Sequence, residues 1–223
     1  MSEQVKTREK IELINERLIK MYGARHRTQH DPLDTLMMTI LSQNTNDVNR
    51  DRAFHALRQR FSSWEAFRDA PSNEVIEAIQ VAGLANQKGP RMQKALSVIS
   101  ERAGSLTLDF LKEMHLEDAR SWLMSITGVG PKTAAIVLCF AFSKPAFPVD
   151  THVFRVTKRL GLIGPRVTRE QAHRLLELMV PPELCYEFHL NLIEHGRHVC
   201  KSARPACANC DIKDYCQYYR NGL

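Results

Sequence analysis

Apolar residues recur at three- and four-residue intervals along nearly the whole chain, and no segment alternates with the period of two that a half-buried strand requires. In REKIELINERLIKMYG, Ile11, Ile14, Leu18 and Met21 fall on one face, and Gly23 ends the pattern. DPLDTLMMTILS starts with an aspartate cap followed by a proline and reads as a buried helix. Asp47 is placed to cap VNRDRAFHALRQRF, where Val48, Ala53, Phe54, Leu57 and Phe61 make the inward stripe. Shorter helical patterns follow at PSNEVIEAIQ, RMQKALSVISER, LEDARSWLMSI, KTAAIVLCFAF, THVFRVTKRLG, TREQAHRLLELM and ELCYEFHLNLIEHG. The pattern predicts an all-α fold. Its breaks lie at GLANQKGP, a turn that sets Leu84 between two glycines, and at SKPAFPVD, where two prolines interrupt the helices.

A chain of 223 residues suits one large domain or two small ones. No uninterrupted apolar run is long enough to span a bilayer, and the N-terminal MSEQVKTREK lacks the apolar core of a secretory signal. The formal charge of +6 favours a polyanionic partner by its sign, although a generally basic surface accounts for it as well.

LEDARSWLMSI-TGVG-PKTAAIVLCF reads as helix, tight turn, helix. Gly128 and Gly130 permit positive φ and the close approach of another backbone, and Pro131 suits the first helical position. The free amides there form a ready phosphate site, to which Thr133 can add a hydroxyl. A plain helix connection that packs Val129 inward explains the same residues. Lys132 sits where the positive helix end and partial burial both favour the free amine, the form that attacks carbon electrophiles. The competing reading is a phosphate-contacting lysine. In FPVDTHVFRV, Asp150 is either a helix cap or a carboxylate that stabilises a developing cation or takes a proton, with His152 in the first turn beside it. Arg155, Lys158 and Arg159 share one face, usable for phosphates or simply solvated.

Four of the six cysteines crowd into CKSARPACANCDIKDYC. Cys200, Cys207, Cys210 and Cys216 follow C-x6-C-x2-C-x5-C, which suits one cubane iron–sulfur cluster. Structural zinc is the alternative, but four-cysteine zinc sites more often use two short knuckles, and only one is present. Lys201 and Arg204 lie inside the first loop, held towards phosphates if the cluster rigidifies it. Cys139 and Cys185 fall in apolar helical patterns, as buried thiols do.

Together LMMTILSQNTND, GLANQKG, ITGVGPKTA, FPVDTHVFRV, EHGRHVC and the terminal cysteines resemble, in this order, the endonuclease III family of helix-hairpin-helix DNA glycosylases. The spacing of Lys132 and Asp150 is similar to that family's. The resemblance implies a two-domain helical fold. Residues 25–144 would form a six-helix barrel with the hairpin at about 117–140, and residues 1–24 with 145–223 a second domain holding a [4Fe-4S] cluster in loop 200–216. It implies a monomer acting on damaged double-stranded DNA in a prokaryotic cytoplasm, associated with the nucleoid and not with membrane. It further implies removal of oxidised pyrimidines through a Lys132 Schiff base, with Asp150 assisting, and strand cleavage by β-elimination. Leu84 resembles the family's wedge. The stack-filling glutamine aligns with Asn44, preceded here by Gln43, and the polar SQNTND run also suits a helix cap. Gly128, Gly130, Thr133, His152, Lys201 and Arg204 complete the expected DNA contacts. A monofunctional glycosylase for alkylated or mismatched bases, and a DNA-binding module without catalysis, are the competing functions.

Overall fold

The computed structural model describes residues 3–28 and 30–222 and, among them, contains helices and connecting turns with no strand. The first helix, α1 (Glu3–Tyr22), places Ile11, Ile14 and Leu18 wholly inside. It stops at Gly23, whose φ of 81° lets its amide close on the Ile19 carbonyl. Seven helices follow: α2 (Pro32–Leu41), α3 (Asp47–Arg60), α4 (Trp64–Asp69), α5 (Ser72–Ala78), α6 (Ala85–Ala103), α7 (Leu116–Met124) and α8 (Pro131–Phe142). After the proline-interrupted segment come α9 (Thr151–Leu160), α10 (Arg169–Met179), α11 (Cys185–His198) and the short α12 (Gln217–Arg220). Among the described residues no helix is long and apolar enough to cross a membrane.

The chain divides into two compact units, Gln29–Phe142 and the combination of Met1–Thr28 with Ser143–Leu223. In the first, α2 lies against α8, and their shared interior contains Leu36, Met37, Ile40 and Leu41 with Ala134, Ala135, Val137 and Leu138. Full burial of each larger side chain contributes about 1.5–3 kcal/mol. The hairpin helix α8 is therefore anchored along its length and offers only its first turn for other work. In the second unit α11 is central, packed against α1 and α9. Asn15, 2% exposed, donates to Glu187 and accepts from Asn191, so α1 is fixed to α11 by polar bonds as well as by its apolar stripe.

Side-chain caps open α2, α3, α4, α9 and α10. Asp31 accepts the Asp34 amide ahead of Pro32, Asp150 accepts the Val153 amide at 2.7 Å, and Thr168 and Gln171 form a reciprocal capping box on α10. Three expectations change. Asn46, rather than Asp47, caps α3 by accepting the Asn49 amide, which leaves Asp47 in the first turn bonded to Arg50. Val48 is 67% exposed, because five positions before Ala53 it lies about 140° around the helix from the inward stripe of Ala53 and Leu57. Finally, α6 starts at Ala85 and runs through GLANQKGP, the segment that reads as a break, with Pro90 inside it. Gly89 permits this: a Cβ there would already sit 3.0 Å from Val75, so its absence lets the first turns of α6 lie directly on α5.

Candidate active site and cysteine loop

The turn between α7 and α8 is built by Gly128, with φ of 89°, and by Val129, which is 5% exposed and donates its amide to the Ile126 carbonyl. Gly130 does not adopt positive φ; the expectation for two such glycines holds at Gly128 alone. Their surroundings also differ. A Cβ on Gly130 would meet nothing within 4 Å, whereas one on Gly128 would lie 2.3 Å from Cδ of Arg91. Gly130 is therefore open to an approaching backbone, and Gly128 is required by a neighbour inside the unit. The Gly130 carbonyl accepts the Ala134 amide as α8 begins, and the amides of the first helical turn have no acceptor within α8 itself.

Lys132 is exposed on the first turn of α8, so the partial burial expected of it is absent. Thr133 is 5% exposed, its side chain is packed into the unit, and the hydroxyl contact expected from it is not available at this surface. Asn44 is exposed with φ of 52°, and Leu84 is 47% exposed with φ of 53°. Left-handed conformations are uncommon for residues other than glycine, and both cases fall at positions where the family resemblance implies insertion. Gln43 is less free: its Oε1 accepts from Nη1 of Arg91 at 3.0 Å.

In the other unit Asp150 caps α9 and remains partly exposed. His152 Nδ1 faces Nη2 of Arg155 at 3.1 Å and, because guanidinium only donates, acts as the acceptor. A Cβ on Gly196 would come within 2.7 Å of His152 Cβ, which explains the glycine in EHGRHVC. Arg155 also donates to the carbonyls of Gly196 and Cys200, at 2.8 and 2.9 Å. Arg159 donates to the Lys201 and Ser202 carbonyls and, at 3.3 Å, to Cys200 Sγ, while its guanidinium covers the Tyr218 ring. Neither arginine is simply a solvated or phosphate-facing charge. Both brace the cysteine loop, a task invisible in the spacing along α9 because the partners lie more than forty residues away.

That loop keeps Lys201 and Arg204 exposed, Arg204 with φ of 50° ahead of Pro205. Cys200, Cys207, Cys210 and Cys216, none of them in a disulfide, line one cavity together with Val156, Leu160, Val199 and Ile212. Yet among the described residues no three His, Cys, Asp or Glu side chains converge as ligands of a single metal ion. Thiols spread around an apolar cavity suit a polynuclear cluster better than one zinc ion. Burial pushes the Cys210 thiol up to about 11, a cost that a bound cation offsets by holding the thiolate. His195 Nε2 lies 3.5 Å from Cys210 Sγ, and its Nδ1 lies 3.0 Å from the Tyr22 hydroxyl. Burial lowers the His195 imidazole to about 4 and raises Tyr22 to about 12, so both are uncharged near neutrality. Cys139 and Cys185 are fully buried.

Residues 37–182 match the family described as HhH-GPD superfamily base excision DNA repair protein. Endonuclease III of Thermotoga maritima is 32% identical over 94% of this chain and 93% of its own length. That of Sulfolobus acidocaldarius is 36% identical over 85% and 83%. A solved structure of a trapped endonuclease III–DNA covalent intermediate superposes with a TM-score of 0.81 at 26% identity, covering 96% of this chain and 97% of the other. These matches define the class: a DNA glycosylase of base excision repair. Within that class the chain belongs to the endonuclease III family.

Proposed function

We propose that this glycosylase is bifunctional, removing oxidised pyrimidines from duplex DNA and then cleaving the strand as an AP lyase. One observation carries the reading: Lys132 stands exposed on the first turn of a helix whose other residues are buried or half-buried, two residues past a glycine with open space beside it. A relative of the same fold has been trapped covalently with DNA, and Lys132 is the nucleophile this chain offers at the hairpin. A base inside a duplex is out of reach, so its nucleotide must first be displaced. Lys132 acts in its unprotonated form, since only the free amine has a lone pair to offer a carbon electrophile. Its Nζ attacks C1′, the glycosidic bond breaks, and the base leaves with the bonding electrons and takes a proton. The adduct opens to a Schiff base. Loss of a proton from C2′ then expels the 3′ phosphate, leaving an unsaturated sugar on the strand. Asp150 supplies negative charge as the sugar becomes cationic and assists the proton transfers.

Phosphates would be held by the turn around Gly128 and Gly130 and by Lys201 and Arg204, with His152 oriented by Arg155. Cys200, Cys207, Cys210 and Cys216 would hold a [4Fe-4S] cluster, whose contribution is to fix this loop. With Cys210 as thiolate, His195 Nε2 carries the proton and donates to it, and the Tyr22 hydroxyl donates to Nδ1.

Borohydride should trap the protein covalently on duplex DNA containing an oxidised pyrimidine or an abasic site, and Lys132→Ala should abolish the adduct while retaining most binding. Base release without strand cleavage would instead identify a monofunctional glycosylase, and binding without either product a non-catalytic module. Purified protein should contain iron and absorb in the visible; a colourless zinc protein from anaerobic expression would overturn the cofactor assignment.

A further inference from the structure

Two of the cations on helix α6, Lys88 and Arg91, stand three positions apart and therefore on one face. Lys88 is 1% exposed. Its Nζ donates to the carbonyls of Leu41 and Ala82, each at 2.8 Å. Leu41 is the last residue of α2, and Ala82 is the last of a single 3-10 turn, Gln80–Ala82. Both are helix-end carbonyls that lack a partner in their own helix, where positive charge is favoured. Asn44 follows the first by three residues and Leu84 the second by two. Both of these residues are exposed and held in left-handed conformation. Arg91 continues the connection, bonding Gln43 with Nη1 while its Cγ and Cδ fill the space beside Gly128.

We propose that Lys88, extended by Arg91, is a positioning residue that fixes the spacing between the turn bearing Asn44 and the turn bearing Leu84, so that both enter the DNA stack as one unit. The proposal rests on the glycosylase reading above. A buried ammonium whose bonds go to neutral carbonyls is costly, and an apolar side chain of similar volume can fill such a place at less expense. Only a group with several donors, however, satisfies two helix ends at once and ties α6 to the end of α2, forty-seven residues from Lys88. Strained tips persist when their surroundings over-determine them, and this tie lies within three residues of each tip.

The test is Lys88→Met, which keeps the length of the side chain and removes its donors. Excision of an oxidised pyrimidine from duplex DNA, and the fluorescence rise of 2-aminopurine placed opposite an abasic analogue, both require entry into the stack. Borohydride trapping on an abasic site in single-stranded DNA does not. Leaving two buried acceptors unmatched should lower duplex excision about tenfold and suppress most of the fluorescence rise. Single-strand trapping should stay within about twofold. Equal losses on both substrates, or no loss on either, overturn the proposal and leave Lys88 a purely stabilising residue. If the unsubstituted protein traps on neither substrate, it is the lyase reading that fails. Should Lys88→Met not fold, Arg91→Met gives the same comparison at a partly exposed side chain. A loss of about threefold confined to the duplex supports the tie, and activity equal to the unsubstituted protein on both substrates overturns it.

Discussion

Replacing Gly128 with alanine tests how the hairpin turn is held. The φ of 89° alone imposes about 1–2 kcal/mol on a residue with a Cβ. The new Cβ would also fall 2.3 Å from Cδ and 2.8 Å from Cγ of Arg91, in the middle of the stem where no small terminal rotation relieves the clash. Arg91 must therefore leave, and its 3.0 Å bond to Gln43 is lost with it, a further 0.5–1.5 kcal/mol or so. Gly128→Ala should thus destabilise the protein by roughly 2–3 kcal/mol. The two contributions separate in a double-mutant cycle read by urea titration. In an Arg91→Ala background only the backbone part remains, so the cycle should show a coupling of about 1 kcal/mol. Additivity to within about 0.5 kcal/mol would show that Arg91 does not occupy the space beside Gly128, and the tie between hairpin and Gln43 would fall with it.

Asp150→Asn separates two roles, since asparagine caps helices about as well as aspartate. Stability should change by less than about 0.5 kcal/mol while single-turnover base excision drops roughly 10²–10⁴-fold; unchanged excision would leave Asp150 as a cap alone. Lys88 gives a pH prediction. Burial lowers its folded-state value below the ordinary 10.5, so between the two values the unfolded chain binds more protons and stability rises with pH. The stability of the unsubstituted protein relative to Lys88→Met should therefore increase as pH climbs towards 10.5, and urea midpoints that diverge the opposite way would refute the burial of a charged amine there.

What the sequence reveals is local. Asp31, Asp150, Thr168, Gly23 and Gly161 act at helix ends within a few residues of themselves, and each is legible from residue type and position. The cysteine loop is legible for the same reason. The inward face of α1 follows from period alone. By contrast, nothing local distinguishes Lys88, a fully buried lysine, from its solvated counterparts, because what defines it are carbonyls at Leu41 and Ala82. Arg155 and Arg159 are similar: a face of basic residues suggests phosphate contact, and the long-range acceptors that absorb both guanidinia lie in the loop. Pro90 misleads in the other direction, since a proline near a helix start removes only one internal bond and α6 tolerates it.

The discontinuous second unit imposes an order on synthesis. Helix α1 is made before the other helices described, yet the Glu187 that bonds Asn15 is made 172 residues later. Gln29–Phe142 can collapse in the interval, while Ile11, Ile14 and Leu18 wait without their native cover. A nascent chain stalled before residue 185 should consequently expose a sticky amphipathic helix, a natural target for holding chaperones.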